Sequence, residues 1–246
     1  MSSRKAYMKN SYSKYWINAR DHVYGYMPYD HELVDMIRSM CTEHGYSNLL
    51  EVAIGTGKPI ASALVDSGLG LQGIDISPDL IEACRKNNPA IQCEVGDAEK
   101  LRFSNDCFDL TYCFHSTWFI PNVHQAITEM IRVVKPGGAV LFDIQNLHNK
   151  EISAIYKQHV FENKNAIGML YKAFKNSVKF LTRRGTQDWP YVVSQTPSDP
   201  AAIFNCIHGC GVKKVQLFGY DDSLKEIDHA SDYRNGYGRL MFVVSK

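Results

Sequence analysis

The chain has 246 residues, 45% of them hydrophobic, with 27 basic against 26 acidic side chains and a formal net charge of +1. That length and apolar content suit one large domain with a substantial core, and the balanced charge supplies no global field for nucleic acid or a membrane surface. Residues 1–10 are polar and basic, no apolar run approaches the ~18 residues of a spanning helix, and seven cysteines are scattered without ligand spacing. The expectation is a cytoplasmic protein with no secretory leader, membrane span or disulfide framework.

In chain order, residues 1–29 are dense in aromatics: Tyr7, Tyr12, Tyr15, Trp16, Tyr24, Tyr26 and Tyr29. Asp30 then reads as the N-cap of a helix to about His44, with Leu33, Ile37 and Met40 on one face and Gly45 as the stop. Asn48–Ile54 is a strand, and Pro59 sits in the first turn of the next helix, where its missing N–H costs nothing. Leu71–Ile76 is a second strand, Ser77-Pro78-Asp79 opens a helix to about Asn87, and Ile91–Val95 is a third strand. Phe108–Phe114, an amphipathic helix over Val123–Val134, a sharp turn at Lys135-Pro136-Gly137-Gly138 and a strand over Ala139–Asp143 complete the rhythm. Such β/α alternation predicts a mostly parallel sheet with helices on both faces.

After Asn146 the rhythm breaks. Helical periodicity covers Glu151–Val160 and Ala166–Leu181, and the 147–190 stretch carries eight Lys or Arg residues. We read 147–195 as a helical cap inserted into a single domain, after which 196–246 resume with a helix at about Ser198–His208 and strands at Val212–Tyr220 and Arg239–Ser245. The cap's charge has two readings, a solvated helix face or a landing surface for an anionic substrate or an acidic carrier. Cys206-x-His208-x-Cys210 offers three groups where a zinc site needs four, so it reads as thiols on a helix.

The most informative stretch is residues 48–57. An apolar run, Leu49–Ile54, breaks at Gly55-Thr56-Gly57, and a second apolar run ends in Asp75, 18 residues beyond Gly57. This strand–turn–helix–strand geometry suits a nucleoside-containing cofactor. Glycines let the backbone approach the ligand, and an acid at the next strand end accepts bonds from both ribose hydroxyls. A phosphate loop fails, because Val52 stands where its first glycine belongs and Pro59 where its hydroxyl belongs. A nicotinamide fingerprint is disfavoured by Ile60 at the third glycine position.

Glu51-Val-Ala-Ile-Gly-Thr-Gly57, Gly73-Ile-Asp-Ile-Ser77, Gly96-Asp-Ala-Glu99, Phe108-Asp-Leu110 and Arg132-Val-Val-Lys-Pro-Gly-Gly138, in this order and spacing, resemble a class I S-adenosylmethionine-dependent methyltransferase. The small-molecule branch, typified by ubiquinone/menaquinone and sugar-amine methyltransferases, is the nearest likeness. The resemblance is strong over residues 30–146 and weak over 195–246. It implies a Rossmann-like seven-stranded sheet of order 3-2-1-4-5-7-6 with the last strand antiparallel, and S-adenosyl-L-methionine as cofactor. By position it places Glu51, Ala53, Gly55 and Gly57 under the methionine part and Asp75 on the ribose. Ile76 then lies on the adenine face, with Asp97 and Ala98 at its edge. The family usually has glycine where Ala53 stands.

The aromatics of residues 1–29 have two readings. Most of them pack a short helix onto the domain, or, as the resemblance implies, the segment folds over the cofactor as an aromatic lid, with Tyr15, Trp16 and Tyr24 to Tyr29 lining the sulfonium and substrate pocket, where ring faces favour a cation. His115 follows the strand end that faces the transferable methyl. It serves there as a general base or packs beside the cofactor. Asp143, Gln145 and Asn146 end the fifth strand as in metal-assisted O-methyltransferases, but His115 stands where that site needs an acid, so no metal is expected. The expected function is methyl transfer to oxygen or nitrogen of a small molecule. Two alternatives stay open: a member of the fold that binds the cofactor without transferring methyl, and an RNA methyltransferase motivated by the basic cap.

Overall fold

The computed structural model describes residues 5, 6, 8, 9, 30–65, 68–164, 167, 168, 170, 171, 174, 195–220, 223–227 and 236–246. Helix α1, Asp30–His44, buries Leu33, Val34, Ile37 and Cys41 along one stripe. It stops at Gly45, whose φ of 70° only glycine adopts without strain, and the Tyr46 N–H returns to the Cys41 carbonyl at 3.0 Å. Strand β1 is Asn48–Val52, and the helix after it, α2, is short, Ile60–Leu64. Strand β2, Gly70–Asp75, leads into α3, Pro78–Asn87, where the Ser77 side chain accepts the Leu80 N–H as N-cap.

Strands β3, Gln92–Val95, and β4, Phe108–Cys113, are followed by a 3₁₀ turn at Thr117–Phe119 and helix α4, Val123–Val133, capped by Asn122. Strand β5 runs Val134–Gln145 and α5 runs Lys150–Lys164. Helix α6, Pro200–His208, starts from an Asp199 cap. The chain ends in β6, Lys214–Tyr220, β7, Leu224–Ile227, and β8, Arg239–Ser245. The second expected cap helix, 166–181, falls largely outside the described residues.

The sheet has eight strands in the order β3-β2-β1-β4-β5-β8-β6-β7. Strands β1 to β5 pair in parallel, and β8 runs antiparallel between β5 and β6. The expected seven-strand order is therefore present, with one correction. A further edge strand, β7, hairpins onto β6; its Lys225 and Glu226 lie exposed, as charges on a short edge that resists further pairing. A second correction concerns residues 135–138, which form the irregular start of β5 instead of a separate turn. The register slips between Phe108↔Val134 and Leu110↔Ala139. Gly137 and Gly138 pair across to Lys246, and a Cβ on Gly138 would stand 2.4 Å from the Asp109 carbonyl.

Strand alternation sorts the core into two layers. Leu49, Leu110, Leu141 and Met241 face one side, with α1, α2 and α3 packed on them. Leu50, Val140, Phe142 and Phe242 face the other, under α4 and α6. Phe142 and Phe242 are fully buried and stack with centroids 5.1 Å apart. Each such side chain contributes about 1.5–3 kcal/mol by leaving water. Covering both faces leaves the C-terminal ends of β1, β2, β3 and β4 as the natural mouth. The strand order reverses between β1 and β4, where a ligand crevice forms in such sheets.

Candidate active site

A cleft opens at that reversal point, with about 960 Å³ of empty space when the solvent at its mouth is included. Sites for small molecules run to roughly 300–1,000 Å³. Eight of the sequence-predicted positions line it: Glu51, Ala53, Gly55, Asp75, Ile76, Asp97, Ala98 and His115. Tyr15 and Trp16 lie outside the described residues.

Gly57 does not line the cleft. Its φ is 76°, and an added Cβ would stand 2.5 Å from Asn88 Nδ2 and 2.9 Å from Cys84 Sγ. This glycine is required by the packing of the turn against the end of α3, a role that spacing alone does not separate from ligand approach. Ala53 does line the cleft but holds a φ of 61°. The difference from glycine there is therefore chiefly conformational, an L-residue held in the left-handed region.

Asp75 is held from both sides by backbone donors. Its Oδ2 accepts the Gly55 N–H at 3.1 Å and its Oδ1 accepts the Ser77 N–H at 2.9 Å. Burial pushes its pKa up to about 6, against the backbone hydrogen bonds of Ser77, Gly55 and Ile76, which pull it down. Glu51 is buried too, and its Oε2 accepts the Tyr112 hydroxyl at 2.8 Å. At the other end, Asp97 folds onto its own loop through the Glu99 N–H. There Lys5 arrives from the N-terminal segment, its Nζ 2.6 Å from Asp97 and 2.7 Å from Glu99. Lys5 and Met8 both line the cleft. Neither has a motif in the sequence, and only the tertiary contact exposes them.

His115 is 8% exposed and sits at φ 58°. Its Nε2 is 2.8 Å from Asp30 Oδ1 and its Nδ1 is 3.3 Å from Asp143 Oδ2. Its backbone N–H donates to Asp143 Oδ1 at 2.8 Å, and Arg239 Nη1 lies 3.2 Å from Nδ1. Burial lowers the imidazole pKa, but hydrogen bonds to Asp143 and Asp30 more than offset it and the net shift is upward. The other strand-5 residues weighed as metal ligands are engaged elsewhere: Gln145 Nε2 donates to Gln195 and Asn146 Nδ2 to the Tyr237 carbonyl. Among the described residues no group of three His, Cys, Asp or Glu side chains is arranged to hold a metal ion. Beyond His115 the cleft turns apolar, with Phe114, Phe119, Ile120 and Pro121 on its wall.

Residues 50–142 match the family model described as a methyltransferase domain. Over 173 residues the chain is 34% identical to the demethylmenaquinone methyltransferase of Chlorobaculum tepidum, covering 69% of this chain and 67% of that enzyme. The chain is a class I S-adenosylmethionine-dependent methyltransferase. A shorter match, 34% identical over 90 residues, links this methyltransferase to the Chlorobaculum parvum demethylmenaquinone methyltransferase, and it spans 37% of each chain. A solved S-adenosylmethionine-dependent methyltransferase of Thermotoga maritima shares the fold across 98% of this chain and 97% of its own, with a TM-score of 0.57 at 14% identity. The residues present fit the cofactor: a buried carboxylate fixed by backbone donors, Asp75, faces a cleft that also holds Glu51 and Asp97.

Proposed function

We propose that this enzyme transfers a methyl group to oxygen or nitrogen of a small, largely apolar acceptor by direct in-line displacement. The observation that carries the reading is the order of groups along one cleft. Three acids, Asp97, Asp75 and Glu51, lie at or just past the ends of the neighbouring strands β3, β2 and β1, and Phe114, Phe119 and Ile120 follow the next strand, β4. In this reading Asp75 accepts both ribose hydroxyls, Ile76 packs on the adenine, Asp97 and the Ala98 backbone N–H meet its edge and Glu51 faces the methionine end. The bound cofactor supplies a methyl group already activated on a sulfonium.

What remains for the protein is alignment and exclusion of water. The buried strand ends and the left-handed residues Ala53 and His115 fix the wall against which an acceptor is placed. The similarity to demethylmenaquinone methyltransferases supports a ring-containing acceptor, and the apolar wall is of a kind that would receive one. Residues 147–195 would then act as a cap over this end. Incubation with methyl-labelled cofactor and a panel of quinols, phenols and amines tests the proposal. Label is expected in an organic-soluble small molecule; label in no acceptor, or only in RNA, would overturn it.

A further inference from the structure

Beyond α5, Ile167, Leu170, Tyr171 and Phe174 stand at the spacing i, i+3, i+4 and i+7, which puts them on one side of a helix. All four are helical, and they are 73%, 71%, 51% and 69% exposed. Helix α1 shows what such a stripe ordinarily does: its Leu33, Val34, Ile37 and Cys41 are all buried. The chain's balanced net charge also hides a local excess around the stripe. Residues 163–187 include Lys164, Lys172, Lys175, Lys179, Arg183 and Arg184 and not one Asp or Glu. At the helical repeat Lys164, Lys172 and Lys175 fall beside the stripe and not within it.

The stripe belongs to the 147–195 segment, and both ends of that segment are tied to the sheet edge that carries the cleft. The Leu147 N–H donates to the Ser198 carbonyl at 3.0 Å, and the Ser198 N–H donates at 2.9 Å to Gln145, the last residue of β5. The Thr196 N–H donates at 2.8 Å to Trp118, whose neighbour Phe119 lines the cleft. The segment therefore leaves and rejoins the domain beside the cleft's apolar wall. Among the described residues no helix is long and apolar enough to cross a membrane. A basic helix with an exposed apolar stripe and no spanning length suits the plane of a lipid surface.

We propose that the Ile167–Leu170–Tyr171–Phe174 stripe docks the enzyme on an anionic phospholipid surface. The apolar side chains seat at the boundary between headgroups and acyl chains, and the surrounding lysines meet the anionic headgroups. Charge selects an anionic surface over a neutral one. The exposed apolar stripe selects a bilayer over RNA, which offers phosphates but no apolar layer to receive Leu170 and Phe174. The choice of lipid over an acidic protein rests on the methyl-transfer reading, because a largely apolar acceptor dissolves in the same layer. Docking beside the cleft then brings the enzyme to the phase that holds its acceptor.

The test is flotation of the full chain with vesicles of phosphatidylcholine alone or mixed with phosphatidylglycerol. Partition onto the mixed vesicles is expected to be at least about tenfold stronger than onto the neutral ones and to fall with added salt. Lys172→Gln with Lys175→Gln is expected to weaken it about tenfold or more, since each cation near such a surface contributes roughly fivefold. Leu170→Gln with Phe174→Gln, at two exposed positions, should weaken it comparably while the thermal melt stays in place. Should that pair melt lower, the lysine pair decides. Failure to float, equal partition onto both vesicles, or partition unchanged in the variants overturns the proposal. So does tighter binding to single-stranded RNA or poly-glutamate than to mixed vesicles, or a vesicle-free dimer that Leu170→Gln with Phe174→Gln abolishes. Flotation is read without cofactor or acceptor, so its outcome is independent of whether methyl label is transferred.

Discussion

The Asp75 carboxylate holds the Gly55 amide at 3.1 Å, joining the end of β2 to the glycine turn after β1. One side chain thus shapes the turn and presents its charge to the cleft. Its pKa, raised from 3.8 to about 6 by burial against opposing backbone bonds, gives two consequences of opposite sign. In the free protein, Asp75 favours folding below pH about 4, and that contribution is lost as pH rises through about 6. Ligand binding runs the other way, because ribose hydroxyls donate to the ionised carboxylate. Calorimetry of S-adenosylhomocysteine binding should show affinity falling roughly tenfold from pH 7 to pH 5, with proton release near pH 6. A flat profile would remove Asp75 from the ribose.

Asp75→Ala strips the partner from both hydroxyls and is expected to weaken cofactor binding more than about tenfold. Asp75→Asn keeps the shape and reverses the preferred hydrogen-bond polarity of half the group, so an intermediate loss is expected. Titration of both variants at pH 7 separates charge from shape.

Ala53→Gly should stabilise the enzyme. The alanine holds φ 61°, a conformation that costs an L-residue about 1–2 kcal/mol, partly offset by the entropy glycine adds to the unfolded chain. A net gain of about 1 kcal/mol, or about 2–4 °C in a thermal melt, is the expected result.

Gly57→Ala should do the reverse. At φ 76°, with a new Cβ 2.5 Å from Asn88 Nδ2, backbone strain and overpacking together cost about 2–4 kcal/mol. The melt should drop several degrees. Cofactor affinity measured well below the transition should change much less than in Asp75→Ala, because Gly57 faces α3 and not the cleft.

Tyr112→Phe removes the donor at 2.8 Å from Glu51 Oε2. A hydrogen bond to a charged partner in a buried setting contributes about 1.5–3 kcal/mol, and a loss of that order is expected by chemical denaturation. Survival of full stability would show that Glu51 finds another donor.

Much of this enzyme was legible in the sequence because its signals are local. The Ser77 cap and Gly45 as the stop of α1 each act within a few residues of their own position, and the strand-end acids stand at fixed spacings from the glycine turn and from each strand's apolar run. Asp30 shows where that ends. As a helix-opening acid it reads as a cap, and its pairing with His115, 85 residues away, exists only once α1 lies across the end of β4. Gly57 shows a second limit, since spacing reveals that a turn needs glycine but not which side of the turn is crowded. The edge strand β7 escaped for a third reason. Leu224–Ile227 is four residues long with two charges in the middle, too short for alternation to register. Lys5 carries no pattern at all, and its contact with Asp97 joins side chains 92 positions apart in the chain.

The central claim is that one cleft binds the cofactor from Asp97 to His115 with Asp75 at its middle. A crystal structure of the enzyme with S-adenosylhomocysteine tests it most directly. The account predicts both ribose hydroxyls on the Asp75 carboxylate, adenine packed on Ile76 with its edge at Asp97 and the Ala98 backbone N–H, and the sulfur turned towards Phe114 and His115. A nucleoside seated elsewhere, or a ribose turned away from Asp75, would contradict it.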